Sequence, residues 1–245
     1  MRAILSLPPK RRQRHWQLAL IAAGCVLLFY LIFGLSTEMW LDHSYGTKSA
    51  SFEWRVSMAL AYTAVIFLGI TLAIGPVNAL RHRPTPPHSY LRRDIGIWAG
   101  LLALVHVVFG ASIHIENFQV WTLFLKDTGS GWVLQDGWFG LAYYVGLLQV
   151  AILLLLLGIS NDVMMRRLGM SRWKNLQRLL YTVMALIFVH GFAMHRAENR
   201  ERVVRLVFMG MMLSILLIQF VGFIATRRKQ QRISQQPADA GSQQA

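Results

Sequence analysis

Six long apolar runs dominate this 245-residue sequence and decide what it can fold into. Each run supplies about the 20 mostly apolar residues that one membrane-spanning helix needs. Only 15% of the residues are charged, against roughly 25% in soluble chains, which excludes an ordinary soluble domain. The sequence therefore predicts an all-α integral membrane protein, with a bundle of six transmembrane helices in residues 16–226. The runs are 16–35, 56–80, 95–113, 138–159, 173–194 and 206–226.

The basic residues outside the runs predict the orientation of the bundle. Of the 25 lysines and arginines, 18 lie in the terminal segments and in the connections after the second and fourth runs. Because such residues gather on the cytoplasmic side, both termini are expected in the cytoplasm. Residues 1–15 are then a basic cytoplasmic N-terminus, and residues 227–245 a disordered, polar cytoplasmic tail. The fifth connection, where arginines alternate with Glu198 and Glu201, is typical of a charge-paired surface loop.

The net charge of +14 raises the question of nucleic-acid binding. The charges sit in short clusters between long uncharged runs, which argues against it. The expected partner is the lipid bilayer, and the absence of long insertions favours a multi-pass protein of a bacterial inner membrane. The sequence contains no Gly-x-Gly-x-x-Gly motif, so any oxidation of a pyridine nucleotide is expected to belong to a partner.

Two histidines lie inside the predicted spans, where a polar, ionisable residue is costly and indicates function. His106 is 13 residues past Arg93, and His190 is 13 residues past Gln177. At 1.5 Å per residue each lies about 20 Å from the cytoplasmic side, on helices that run in the same direction. Two histidines at one depth can ligate a haem iron from both faces. The alternative is two unrelated histidines, each bonded to a nearby carbonyl or side chain.

The segments around these histidines carry recognisable motifs. Arg92, Arg93 and Gly96 match an Arg-Arg-x-x-Gly opening with a histidine ten residues after the glycine, at His106. The segment 173–190 matches most of a Trp-x-x-Leu-His-Arg-Leu-x-Tyr pattern followed by a second histidine. Residues 69–191 thereby resemble the ferric reductase-like transmembrane domain family. That family includes yeast ferric reductases, NADPH oxidase cores and the membrane subunit of the bacterial methionine sulfoxide reductase system. The resemblance implies a b-type haem with His106 and His190 as axial ligands.

The sequence departs from the two-haem members of this family at the inner ligand pair. The two inner positions hold Arg92 and Gln177. Arginine has no acceptor atom and stays protonated, and glutamine is a poor haem ligand. Both inner ligands are replaced while both outer ones are kept, so the resemblance implies one haem b per chain.

Some single-haem relatives place a flavin in the inner half of the bundle. Arg92, Arg93 and Arg178, together with Gln177, are the candidate flavin or inner-half contacts, because arginine binds phosphate bidentately. Alternatively, the arginines only set the topology, and a membrane quinol delivers the electrons. Beyond the haem ligands, His114 and His195 are candidate contacts for the haem propionates or the outer face. They are also compatible with ordinary interfacial histidines.

We therefore expect an electron-transfer subunit of an oxidoreductase. It would pass electrons from a quinol or a flavin-bearing reductase to an acceptor at the outer face, such as a periplasmic redox partner. The alternative is a non-redox membrane scaffold or transporter that has kept the fold without haem. The predicted spans hold no carboxylate apart from Asp94 near one end, which argues against a proton or metal channel.

Overall fold

The computed structural model describes residues 8–40, 51–81, 90–115, 119–200 and 202–235, and these are almost entirely helical. Six of the described segments are long and apolar enough to cross a membrane, which confirms the predicted six-span, all-α fold. The side of the membrane on which the termini lie stays a prediction. In chain order the elements are α1 (Pro9–Trp40), α2 (Phe52–Leu80), α3 (Tyr90–Ser112), a 3-10 turn (Val120–Leu123), β1 (Leu125–Asp127), β2 (Trp132–Leu134), α4 (Gly137–Ile159), α5 (Asp162–Leu168), α6 (Met170–Gln177), α7 (Leu179–Ala197) and α8 (Arg202–Gln235).

Helix α2 is the centre of the bundle. In its most apolar stretch 67% of the residues are buried, against 17–22% in the other five spans. It packs against α1, α3 and α8. Small residues allow close approach of the helices: a Cβ added to Gly222 of α8 would lie 2.3 Å from Pro76 of α2.

The six spans form two groups. The first group is α1, α2, α3 and α8, and the second is α4 with the fifth span, which consists of α6 and α7 in series. Packing within each group is extensive, whereas among the described residues the contacts between the two groups lie mainly along α3–α4 and α7–α8, with a hydrogen bond from Trp54 of α2 to Glu198 beside them. The boundary between the groups is therefore the natural place for a ligand inside the bundle.

A buried carboxylate ties the start of α1 to the start of α3. Asp94 is fully buried, and its Oδ1 accepts from Nε and Nη2 of Arg11 at 3.2 and 2.9 Å. Its Oδ2 accepts from Arg14 at 3.1 Å, and Nε2 of His15 lies 3.5 Å from Oδ1. A buried charge needs such partners, so this cluster fixes where the first span packs.

The connection between the third and fourth spans contains a small hairpin that the sequence analysis did not predict. β1 and β2 pair antiparallel, with Lys126 opposite Val133. The turn between them includes Gly129 at φ +77° and Gly131 at φ +151°, a backbone conformation that glycine adopts at no steric cost. The main-chain nitrogen of Gly129 donates to the carboxylate of Asp127 at 2.8 Å.

The last helix is longer than expected. The assignment of residues 227–245 to a disordered tail is wrong for residues 227–235, because α8 continues to Gln235. Lysine, arginine and glutamine are good helix formers, which lets the helix extend beyond its apolar stretch. Residues 236–245 lie outside the described residues. At the other end, α1 begins at Pro9, so the described part of the basic N-terminal segment is also helical.

Replacing Asp94 by Asn tests the importance of the buried cluster. We expect a loss of about 3 kcal/mol in the free energy of unfolding, because Arg14 would lose its buried carboxylate partner and Arg11 would keep only its longer pair with Asp162, at 3.7 Å. The measurement is unfolding in detergent, followed by tryptophan fluorescence.

Asp136→Asn is the matched control, since the pair of Asp136 with Lys126 is largely exposed. Such a pair contributes less than about 1 kcal/mol. Equal losses in the two variants would contradict the assigned role of Asp94.

Candidate functional site between the two helix groups

Two imidazole rings meet where the helix groups face each other. The ring of His106 comes from α3 and that of His190 from α7. Their centroids lie 6.5 Å apart, and their planes are inclined at 84°. The sequence predicted equal depth for the two histidines, and in the structure their rings are neighbours. Each helix group contributes one ring.

Each ring is held by the main chain of a neighbouring helix in its own group. Nδ1 of His106 lies 2.9 Å from the carbonyl oxygen of Ser57 in α2, and 3.0 Å from the Ser57 hydroxyl. Nδ1 of His190 lies 2.9 Å from the carbonyl oxygen of Ala142 in α4. A carbonyl oxygen only accepts, so Nδ1 carries the proton and Nε2 of each neutral ring keeps its lone pair. Among the described residues, neither Nε2 has a hydrogen-bond partner.

Glycines leave room for the rings in this orientation. A Cβ at Gly146 of α4 would lie 3.3 Å from Nδ1 of His190. A Cβ at Gly110 of α3 would lie 3.2 Å from the Ser57 hydroxyl and 3.5 Å from Cε1 of His106. Larger side chains at either position would displace the imidazoles or their hydrogen-bond partners.

The separation of the rings suits a single metal ion between them. A ligating imidazole nitrogen lies about 2 Å from its metal and the ring centroid about 1 Å further, so opposed rings have centroids about 6 Å apart. Within the described part of the chain, no group of three or more His, Cys, Asp or Glu side chains could hold a metal ion. The two imidazoles could therefore supply two ligands to a metal, and any further ligands would come from a bound molecule or from other groups.

A second polar cluster lies just beyond the rings, around Glu198 at the end of α7. Its carboxylate accepts from Arg200 at 2.7 Å, from Trp54 at 3.3 Å and from His114 at 3.2 Å. Burial disfavours the ionised carboxylate, but the Arg200 charge and the hydrogen bonds from His114 and Arg200 outweigh it and hold the pKa of Glu198 below its usual range. The predicted charge pairing is therefore confirmed for Glu198, whereas Glu201 lies outside the described residues. The predicted surface position is wrong for Glu198, since only 17% of its side chain is exposed.

The two outer histidines have different surroundings. His114 follows the end of α3 and lies edge-on to Phe139 and Tyr143. His195 is buried against the ring of Phe208, with centroids 5.1 Å apart. Its Nδ1 has no hydrogen-bond partner among the described residues. Of the two, His195 is the one with an unused polar atom.

The candidate inner-half residues gather around one cavity. It has a volume of about 340 Å³ and lies between α3, the end of α4, α6 and the start of α7. Arg92, Arg93, Gln177 and Arg178 all line it. The Gln177 amide lies 3.4 Å from the hydroxyl of Ser160. Along α3 the cavity reaches Gly100, six residues or about 9 Å before His106.

Asp162, outside the spans, anchors one of the arginines of this cavity. Nη1 of Arg93 donates to Oδ1 of Asp162 at 2.5 Å. This hydrogen bond lowers the pKa of Asp162. Burial raises that pKa by a smaller amount, and the positive charges of Arg93 and Arg11 lower it further.

One polar residue between the cavity and the ring pair was missed in the sequence analysis. Gln149 of α4 is buried, and its amide nitrogen has no partner among the described residues. It lies one helical turn after Gly146, the glycine that is beside His190. It also lies one turn before Leu153, which lines the cavity. The signal that could have found it is an amide in the middle of an otherwise apolar span.

The sequence is similar to part of two bacterial proteins. The magnetosome protein MamZ of Paramagnetospirillum magneticum strain AMB-1 is 31% identical over 146 residues, which cover 60% of this chain and 21% of that protein. MamZ of Magnetospirillum gryphiswaldense strain MSR-1 is 29% identical over 146 residues, covering 60% and 20%. The matched segment thus spans about a fifth of the length of these curated relatives. No family model matches the chain.

Replacing Glu198 by Gln tests the outer cluster through its pH dependence. At pH 7 we expect a loss of about 2 kcal/mol in the free energy of unfolding, because hydrogen bonds to a charged group are lost. The lowered pKa means that the unfolded chain binds this proton more readily than the folded one. The stabilisation is therefore complete above the unfolded pKa of about 4.3, and is lost as the pH falls below it.

The measurement is the stability of the wild type and of the variant between pH 7 and pH 3, where the difference should shrink. Glu53→Gln is the control, since Glu53 is exposed at the start of α2 and should change stability by less than about 1 kcal/mol. A difference between wild type and Glu198→Gln that is the same at both ends of this pH range would rule out the ionised cluster.

Proposed function

We propose that this chain is a membrane-bound b-type haem electron-transfer protein, with His106 and His190 as the axial ligands of one haem per chain. The observation that carries the proposal is the close pair of imidazoles from two different helices, with centroids 6.5 Å apart and with neither Nε2 bonded to any of the described residues. Two unrelated histidines would also bond to nearby carbonyls, so the proposal rests on the approach of the two rings from different helices and not on their Nδ1 bonds.

The residues present fit a haem in three respects. The donor set is two neutral imidazoles, a common axial pair for a haem iron. Each Nδ1 proton is donated to a carbonyl oxygen, of Ser57 or Ala142, which fixes the tautomer and raises the basicity of the ligating nitrogen. Gly110 and Gly146 keep the space around the rings clear of side-chain atoms.

A b-type haem held here supplies one-electron chemistry, and the protein tunes it through ligands and burial. The outer polar cluster keeps the charge of Glu198 paired with Arg200 on that side of the rings. His195 is the better candidate for a haem carboxylate contact, because His114 already bonds to Glu198. These residues would hold and orient the haem, and none of them needs to change its covalent state.

The inner positions support a single haem. Arg92 cannot ligate iron, and the Gln177 amide is directed to the Ser160 hydroxyl. The cavity they line is the candidate place for the electron donor, a quinol or a flavin of a partner reductase. We propose an acceptor at the outer face, such as a soluble periplasmic redox partner. The similarity to two bacterial proteins supports a bacterial source. We propose the inner membrane as the location, with both termini in the cytoplasm because the basic residues gather in the terminal segments.

Alanine substitution of each histidine tests the proposal. Detergent-purified wild-type protein should show a b-type reduced-minus-oxidised spectrum, with close to one haem per chain. His106→Ala and His190→Ala should each lose it, because one imidazole cannot hold the low-spin, six-coordinate state. Gln177→Ala is the control and should keep the full haem content.

The outcomes separate the alternatives. Two haems per chain would contradict the single-haem assignment and indicate further ligands. A folded wild-type protein that binds no haem would contradict the proposed function and leave a membrane scaffold or transporter. Folding of each variant is checked by size-exclusion chromatography, so that loss of haem is distinguished from loss of structure.

A further inference from the structure

The hairpin formed by β1 and β2 has one apolar face. Paired residues of an antiparallel ladder lie on the same side of the sheet, and so do alternate residues of one strand. Leu125, Trp132 and Leu134 therefore share a side, which we call the apolar face. Trp132 is 50% exposed and Leu134 is 70% exposed. Asp127 also lies opposite Trp132, but its carboxylate accepts a hydrogen bond from the main chain of Gly129 in the turn.

The opposite face of the hairpin, which we call the polar face, carries an ion pair. Lys126 lies opposite Val133 on this side. Nζ of Lys126 is 3.9 Å from Oδ1 of Asp136, and both side chains are largely exposed, as expected for a pair in water. Residues 128–131 at the tip are also exposed. The hairpin is therefore amphipathic.

The base of the hairpin lies beside the first turns of α4. The carbonyl oxygen of Phe124, the residue before β1, accepts from the hydroxyl of Tyr144 and from the main-chain nitrogen of Gln135, each at 2.8 Å. Tyr144 is seven residues, or about 10 Å, into α4, and side chains on a helix lean towards its beginning. A Cβ at Gly140 would overlap the carbonyl oxygen of Gln135, so the chain also packs tightly on the first turn of α4. The hairpin therefore starts level with the end of this span.

The exposed surface of α4 continues into the apolar face. Trp138, in the first turn of α4, is exposed. Leu134 is three residues before α4 begins at Gly137, so it lies within about 11 Å of that point. The layer between hydrocarbon and water is about 5–8 Å thick on each side of a bilayer, and tryptophan is enriched there. The apolar face is thus close to the layer that its side chains prefer.

A hairpin of this size needs a surface to cover it. Each strand has three residues, and an isolated two-stranded hairpin is only marginally stable in water. In the described part of the chain the sheet has two strands, so its outer edges carry unpaired main-chain groups that are costly in hydrocarbon. The headgroup layer meets both needs, because acyl chains cover apolar side chains while water and ester oxygens reach the edges. For a partner protein that adds a strand, either edge offers only three residues.

The charge of the hairpin argues against attraction to anionic headgroups. Residues 125–136 contain one lysine and two aspartates, so their net charge is −1. Segments that bind anionic lipids carry clusters of lysine and arginine. Attachment to lipid would therefore depend on Trp132 and Leu134 rather than on charge.

We propose that the apolar face of the hairpin is inserted into the headgroup layer of the bilayer through Trp132 and Leu134, with the polar face turned to water. The partner is the uncharged ester and upper acyl region of the phospholipids. This attachment holds the start of α4, the helix whose Ala142 carbonyl accepts from His190. The inference goes beyond the proposed function and requires no haem.

Spin labels on the two faces test the depth of the hairpin. Full-length protein in phosphatidylcholine nanodiscs has its single cysteine removed by Cys25→Ser and carries one nitroxide, at Leu134→Cys, Val133→Cys or Ser130→Cys. Power saturation compares oxygen, which concentrates in the bilayer, with a water-soluble nickel chelate. We expect the ratio of oxygen to nickel accessibility to be about fivefold higher at Leu134 than at Val133, its neighbour on the polar face. Ser130 at the tip should behave as an aqueous site.

The native tryptophan gives a second measurement that needs no label. The fluorescence of Trp132 is the difference between wild type and Trp132→Phe, and it is compared in phosphatidylcholines brominated near the headgroup or near the end of the acyl chains. We expect stronger quenching by the bromines near the headgroup. Replacing about a third of the lipid by phosphatidylglycerol should leave both measurements unchanged, because the attachment is not electrostatic.

Three results would overturn the proposal. Equal nickel accessibility at Leu134 and Val133 would place the apolar face in water. Protection of Leu134 from both oxygen and nickel would indicate a protein cover, such as a second copy of the chain. Protection found only with phosphatidylglycerol would make the attachment electrostatic. The haem absorbance of each preparation is recorded separately, so a folded protein without haem would contradict the proposed function and leave the depth of the hairpin to be judged by itself.

Discussion

Two hydrogen bonds from imidazole to main-chain carbonyls orient the two rings at the centre of this protein. His106 is bonded to the carbonyl of Ser57, which joins α3 to α2, and His190 to that of Ala142, which joins α7 to α4. Each bond lies within one helix group, so each group presents one oriented ring at the boundary. Side chains of the two groups also pack closely where glycines face them, as at Gly100 against Leu157 and Gly191 against Phe208. A shared metal between the two rings would add a further connection between the groups.

Charge is arranged on either side of that boundary according to the same rule, that a buried ion needs partners. At the start of α3 the carboxylate of Asp94 is surrounded by the basic face of α1. At the end of α7 the carboxylate of Glu198 is held by Arg200 and His114. Among the described residues Arg93 satisfies this rule only in part, because Nη1 is bonded to Asp162 whereas Nε and Nη2 have no hydrogen-bond partner.

Much of the fold could be predicted because membrane spans are set by local composition. The six apolar runs match the six candidate spans, with one residue beyond the span at the end of the first and third runs, and the equal offset of 13 residues predicted that His106 and His190 would meet. The motif positions Arg92, Arg93, Gln177 and Arg178 were grouped only as inner-half residues, and the structure gathers them around one cavity.

The features that were missed depend on contacts distant in sequence. The hairpin has only three residues in each strand, too few for a periodicity signal. The burial of Glu198 depends on Trp54, 144 residues away in the chain. The extension of α8 to Gln235 reflects helix propensity, which hydropathy does not record. Gln149 is polar but uncharged, so the pattern of ionisable residues inside the spans does not indicate it.

The central claim is that His106 and His190 ligate one iron from opposite sides. Electron paramagnetic resonance of the oxidised, purified protein tests it most directly, because the signal reports the axial ligands themselves. We predict a single low-spin ferric haem signal of the bis-imidazole type, with the strong anisotropy expected for ring planes inclined at 84°. A high-spin, five-coordinate haem, two distinct low-spin signals, or no haem iron in folded protein would contradict the account.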